Sequence, residues 1–331
     1  MNSNQKKIVI SVCIVAVILL GVMVFLMMNM GKNKEVAPAP VQTAVASATE
    51  TPVPTATPDP HEGLVQSSIN GSWVKPSVEN KRPFAVMINN IQYAFAHQKG
   101  VSKADIVYEA LAEGGITRML AVFQDIKKAK NLGSVRSARH YYVQFAYEWD
   151  AIFCHFGHTK YAVAKMNKLG TNNISGLSAI GPVAYARNSF VAPHNVFTNG
   201  KKLTKAAKKL KYKLKKRKNR TAEHFGFNEV DTDLTSGSKA KKIVLPFSYY
   251  STVKLKYNKK KKTYMKFEYG KKHKDMTNGK QLSFKNVIVQ FVKESNKDHN
   301  GYQTMELNTT GKGYYLTNGK KIPITWTRKE S

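Results

Sequence analysis

An uncharged run of 21 residues, Ile8–Met28, constrains this chain before any other feature does. About 20 apolar residues span a bilayer as one helix, and no other local structure satisfies its backbone there. Lys6 and Lys7 precede the run, so the positive-inside preference keeps the first residues in the cytoplasm and sends the rest out. The run is too long for a cleaved secretion signal and no small-x-small site closes it. Cys13 follows Ile10-Ser11-Val12 without a preceding small residue and lies inside the run, so a lipidated cysteine is disfavoured. The expectation is a signal anchor: tail 1–7, transmembrane helix 8–28, and everything later extracytoplasmic. Residues 29–72 follow, rich in Pro, Ala and Thr between 36 and about 62, which builds no core and favours an extended tether. Folding is then expected in two regions, 73–220 and 221–331.

Those regions carry enough apolar residues for real cores, since the 331-residue chain is 42% hydrophobic. Arg82-Pro-Phe-Ala-Val-Met-Ile-Asn89 reads as a buried strand, and Ser137 caps a helix over about Ala138 to Glu148. Tyr142, Phe145, Ala146 and Trp149 give that helix one apolar stripe. A short strand over Asp150 to Gly157 and a helix over Thr159 to Leu169, closed by Gly170, complete a mixed α/β (α+β) N-terminal domain. Lys201 to Lys218 reads as a basic amphipathic helix docked by Leu203, Ala206, Ala207, Leu210 and Leu214. From Lys241 onward the period becomes two: Val253/Leu255/Tyr257 and Met265/Phe267/Tyr269 flank a lysine turn, and further short strands follow. This is a smaller β-rich domain.

Charge restricts the partners. The net charge is +32, and 27 Lys and Arg against 6 Asp and Glu fall between Lys201 and Lys285. Lysine is a point charge without the fork of arginine. The excess therefore suits diffuse attraction to an anionic cell-wall polymer or lipid surface, with no specific nucleic acid expected. A solubilising composition explains the charge equally well. Cys13 and Cys154 form no plausible pair and no metal spacing appears, so neither metal nor cofactor is expected.

Specific chemistry concentrates in Ala104–Tyr142. Gly114-Gly115 between two apolar runs predicts a two-residue hairpin turn. That register sets Leu111 opposite Arg118 and makes Glu109 and Glu113 its diagonal neighbours on one apolar face. Gly133-Ser-Val-Arg-Ser-Ala-Arg139 reads as a loop entering a helix, where free N–H groups and the dipole favour an anion. Arg118, Arg136, Ser137 and Arg139 are thus candidate ligand-binding residues, with Glu109 or Glu113 the candidate base. A substrate clamp and a structural ion-pair network both fit. His155, His194 and Asn195 complete the candidates, at a strand end and in a Pro193 turn.

Four segments, Lys81–Asn90, Gly100–Gln124, Gly133–Tyr142 and Ala192–Leu203, together resemble the YerB-like family of bacterial envelope proteins, lipoproteins of unassigned biochemistry. The remainder is similar to that family's smaller C-terminal domain. His140 stands where the family often has proline, the lipobox is missing, and the chain stops at Trp326–Ser331, leaving the second domain incomplete or differently ended. The resemblance implies an envelope location and a two-domain architecture, but no reaction. Two functions remain open: a membrane-tethered binding protein for an anionic envelope polymer or phosphorylated glycan, and an enzyme acting on phosphodiester or pyrophosphate-linked envelope precursors.

Overall fold

The computed structural model describes residues 59–217 and 224–329. Ile8–Met28 and most of the tether lie outside the described residues, and among these no helix is long and apolar enough to cross a membrane.

The first sheet has five strands: β1 (Phe84–Asn89), β2 (Ile106–Leu111), β3 (Thr117–Phe123), β4 (Ile152–His155) and β5 (Asn173–Ser175). Their order is β2-β3-β1-β4-β5, with β1, β4 and β5 parallel and β3 antiparallel to both neighbours. Every residue of β1 and β3 is buried because helices cover both faces, which is why Phe-Ala-Val-Met-Ile reads as a continuous apolar run. Ala85, Met87, Leu120, Val122 and Phe153 pack on one side under α1 (His140–Glu148) and α2 (Lys160–Leu169). Val86, Ile88, Met119, Ala121 and Cys154 pack on the other, beside β6 (Val196–Thr198) and under α3 (Gly200–Lys209).

Local signals explain the helix ends. The Thr159 hydroxyl accepts from Ala162 N–H at 3.1 Å and Gly170 closes α2 at φ +57°, as its sequence predicts. At α3, Asn199 caps and Gly200 admits the backbone of Ile126, whose carbonyl oxygen lies 2.1 Å from where a Cβ would stand. The helix expected to reach Lys218 ends at Lys209. Lys211 turns at φ +56°, and the chain then runs extended so that Leu214 C=O accepts from Arg82 N–H. Leu203, Ala206 and Ala207 dock it as expected. Order also begins earlier than Trp73: Ile69 is buried in the core and the Ser67 hydroxyl donates to Gln124 at 2.7 Å.

The β-rich part is built of antiparallel hairpins. One sheet contains β7 (Lys242–Pro246), β8 (Thr252–Asn258) and β9 (Thr263–Glu268) in order; another contains β10 (Asn286–Gln290), β11 (Thr310–Thr317) and β12 (Lys320–Thr327). Val253, Leu255, Tyr264 and Leu316 make a small core between them. Alternation along β9 is opposite to what its apolar residues suggest: Tyr264, Lys266 and Glu268 point inward while Met265 and Phe267 are half-buried. The two buried charges pair with each other and face the N-terminal sheet, which adds Glu109 and Asn90 as partners.

Candidate functional site

The hairpin register decides the site. The β2–β3 loop holds three residues, Glu113, Gly114 and Gly115, with both glycines at positive φ. One residue more than a two-residue turn moves the pairing by one, so Ala110 opposes Arg118 and Glu109 opposes Met119. Successive strand residues face opposite ways, so Arg118 and Glu109 stand on opposite faces of the sheet. The expected trio is therefore divided, and only Glu113, in the loop, reaches Arg118.

Arg118 also opposes Asn89, the last residue of β1. Its site thus lies at the carboxyl edge of the parallel strands, the edge at which open α/β sheets place ligands. Here the Gly133–Ala138 loop is pinned between strand ends. Asn89 N–H donates to Ser134 C=O, Val135 N–H to Val196 C=O, Arg136 N–H to Met87 C=O and Ala138 N–H to Gly157 C=O. Arg139 follows as the residue before α1, and no side chain caps that helix. Ser137 is not the cap; its carbonyl accepts from Arg118 Nη1 at 3.1 Å.

Glu113 gathers two of the three guanidiniums. Arg139 donates through Nε and Nη2 to both its carboxylate oxygens, each at 2.5 Å, and Arg118 Nη2 lies 3.6 Å away. Arg136 donates from Nη1 to Pro193 C=O at 3.0 Å. The Nε atoms of Arg118 and Arg136 are buried and find no acceptor among the described residues. Burial, with repulsion from Arg139, pushes Arg118 down to about 10 despite Glu113. Burial and then Arg139 also lower Arg136. Burial alone would raise the Glu113 carboxyl, but the hydrogen bonds and charge of Arg139, with Arg118, hold it below its ordinary value. Two guanidiniums thus share one carboxylate and a third, Arg136, has no carboxylate bonded to it, an arrangement suited to an added anion that takes bidentate bonds.

Of the histidine and asparagine candidates, His155 and Asn195 bond elsewhere. His155 is fully buried, with Nδ1 2.8 Å from Gly157 C=O and Nε2 3.3 Å from Asn173, and burial pushes it down to about 4. Asn195 ties its own loop, accepting from Arg187 at 2.7 Å and donating to Asn188 C=O at 3.3 Å. His194 does border the arginines: its Nδ1 is 2.9 Å from Asn89 Nδ2, and burial followed by Arg136 lowers it.

Glu109 belongs to a second polar cluster that the sequence does not announce. Lys266 Nζ bonds to Glu268 and lies 3.2 Å from Glu109, while Asn90 Nδ2 donates to Glu109 at 2.9 Å and to both Glu268 oxygens. His273 Nδ1 accepts from Lys266 at 3.0 Å. Burial and the Glu268 charge raise Glu109, and burial with Lys266 pushes His273 down to about 4. The only sequence signal was a lysine and a glutamate two apart in a strand.

The fold and these clusters define a two-domain α+β protein whose N-terminal sheet carries an arginine-rich site at its carboxyl edge. The chain belongs to the family described as "Protein of unknown function (DUF3048)": the N-terminal domain matches residues 69–213 and the C-terminal domain residues 243–331. It is 31% identical over 269 residues to "Putative lipoprotein YerB" of Bacillus subtilis (strain 168), covering 79% of this chain and 78% of that one. The crystal structure of YerB from Bacillus subtilis superposes with a TM-score of 0.69 at 30% identity, covering 80% of this chain and 87% of that one.

Proposed function

We propose that this protein is a membrane-tethered extracytoplasmic binding protein whose Arg118–Arg136–Arg139 site takes a phosphate group of an anionic envelope polymer or phosphorylated glycan. The observation that carries the reading is the charge imbalance at the site: three guanidiniums, one carboxylate, and two buried Nε–H groups without acceptors among the described residues. The uncharged Ile8–Met28 run and a relative described as a lipoprotein support an envelope location.

The outer face of β7–β9 supports attraction to a polymer. Lys242 opposes Lys256, which opposes Met265; Val244 opposes Lys254, which opposes Phe267. Like charges directly opposed across a ladder repel, and a bound polyanion would relieve that repulsion. Reading the site as an enzyme needs a free base. Glu113 is committed to Arg139 and Glu109 stands on the other face, so binding is the better-supported function.

The test is calorimetric titration of the full chain in detergent with synthetic poly(glycerol phosphate), using neutral dextran as control. Binding that Arg136→Lys and Arg139→Lys each weaken, since neither ammonium replaces the fork, is the expected result. Unchanged affinity in both variants, or equal binding of dextran, overturns the proposal.

A further inference from the structure

Beside Arg136 lies an aromatic group that neither the fold nor the arginine site uses. Tyr93 and His97 come from the 3₁₀ turn Gln92–His97, and Phe190 and His194 from the loop that precedes β6. Phe190 stacks between the other two rings, 5.4 Å from Tyr93 and 3.6 Å from His97, and Tyr93 meets His194 edge-on at 5.5 Å. Tyr93 remains 58% exposed, and neighbouring Val191 46%. Two loops could be joined with less apolar surface left in water, and exposed aromatic patches rimmed by polar groups mark binding surfaces.

The group is continuous with the anion site. Arg136 donates to the carbonyl of Pro193, and the next residue is His194. His194 is held by Asn89, the strand-end residue opposite Arg118. A neutral His194 whose Nδ1 accepts from the Asn89 amide carries its proton on Nε2, and so offers a donor. Beside the guanidiniums there is thus an open ring face and a donor with no added positive charge.

We infer that Tyr93, backed by Phe190, forms a sugar-ring subsite next to Arg136, so that the ligand of the site is a sugar phosphate unit in which the phosphate meets the arginines and the apolar face of the pyranose lies on the open face of the Tyr93 ring. This rests on the phosphate reading above and specifies what the phosphate is attached to. Ligand sites that combine aromatic walls with a few fixed polar groups bind amphipathic rings in this manner. Tyr93 supplies area at small entropic cost, since its ring is already held against Phe190.

The experiment compares N-acetylglucosamine 1-phosphate with inorganic phosphate by calorimetry on the full chain in detergent. The parent protein should bind the sugar phosphate about tenfold more tightly, the scale of one ring stacked on an aromatic platform. Tyr93→Ala should remove that preference and leave inorganic phosphate within about twofold of the parent, whereas Tyr93→Phe should retain it. Because Tyr93 is exposed, its replacement leaves the fold intact, and the unchanged phosphate affinity checks this in the same sample. Phosphate binding without a sugar preference, or a preference that survives Tyr93→Ala, overturns this inference and leaves the phosphate reading standing. Failure of the parent to bind either ligand overturns the phosphate reading and the inference together.

Discussion

Glu113 occupies the place of an anion, so its removal should both weaken the fold and sharpen the appetite of the site for phosphate. In Glu113→Gln the two charged bonds to Arg139 and the contact with Arg118 are lost, and both guanidiniums are left without a carboxylate. Breaking a buried pair by removing one partner costs about 3–5 kcal/mol. The Glu113 side chain is 22% exposed, so solvent screens the gap and the cost drops to the bottom of that range or just below it, about 2–3 kcal/mol. For a chain of this size that is a fall in Tm of roughly 4–10 °C. A ligand that binds only the folded state returns about 2.7 kcal/mol at one hundred times its Kd, so saturating phosphate should recover most of the loss. The carboxyl is depressed in the fold, so its contribution is present above the ordinary carboxylate range and disappears as pH falls through the folded value. The gap between parent and variant should accordingly persist at neutral pH and close in acid. Thermal unfolding with and without phosphate, in a chloride-poor buffer, reads all three effects. A variant as stable as the parent without phosphate, or equal stabilisation of both by phosphate, refutes the reasoning.

Acid should destabilise the protein through its buried histidines. His155 is held neutral and pushed down to about 4, so the unfolded chain takes a proton between about pH 6.5 and 4 that the fold refuses; this removes about 3 kcal/mol over that interval. Urea titrations at pH 7 and 4.5 should show it, and His155→Asn should flatten the dependence while lowering stability at neutral pH. On the outer sheet face, Lys242, Lys254 and Lys256 changed together to Gln should weaken poly(glycerol phosphate) binding and reduce its salt sensitivity, because exposed charges are screened within about 10 Å at 0.1 M. An affinity that is already independent of salt in the parent removes the lysines from the binding argument.

The legible parts of this fold were those fixed by local chemistry. Thr159 and Gly170 bound a helix because a hydroxyl cap and a left-handed glycine satisfy its ends wherever the helix lies. The buried run of β1 and the docking residues of α3 follow from apolar pattern alone. Long-range contacts supplied the rest. The Lys201–Lys218 pattern is helical throughout, yet only half forms, since Arg82 and Asn80 take the backbone of Leu214 and Lys216 into extended pairing. At the site, Arg136, Arg139 and Glu113 could be named from sequence, but Glu109 could not be excluded, because two glycines do not disclose whether a loop holds two residues or three. Tyr93 and Phe190 escaped for a similar reason: the sequence separates them by almost a hundred positions, and only the fold lays the rings together.

That one-residue difference gives the two glutamates unlike tasks, which a single substitution can separate. Glu109 and Glu268 share Asn90 and Lys266 at the contact between the N-terminal sheet and β9, with all four side chains buried or nearly so. Lys266→Met leaves two carboxylates and no cation, so at neutral pH the cost should be about 3–5 kcal/mol. One carboxyl would then take up a proton, because two like charges that close cannot both ionise cheaply. A carboxyl raised in the fold contributes stability that is present below its unfolded value and lost as pH rises through the folded one. Lys266→Met should therefore regain stability as pH falls from 7 toward 5, against the direction that His155 and His273 impose on the parent. Adding Glu268→Gln should restore most of the loss at neutral pH, while adding Glu113→Gln should not. If Lys266→Met follows the pH profile of the parent, or if Glu113→Gln rescues it as well as Glu268→Gln does, the two carboxylates act in one network and the division drawn from the hairpin register is wrong.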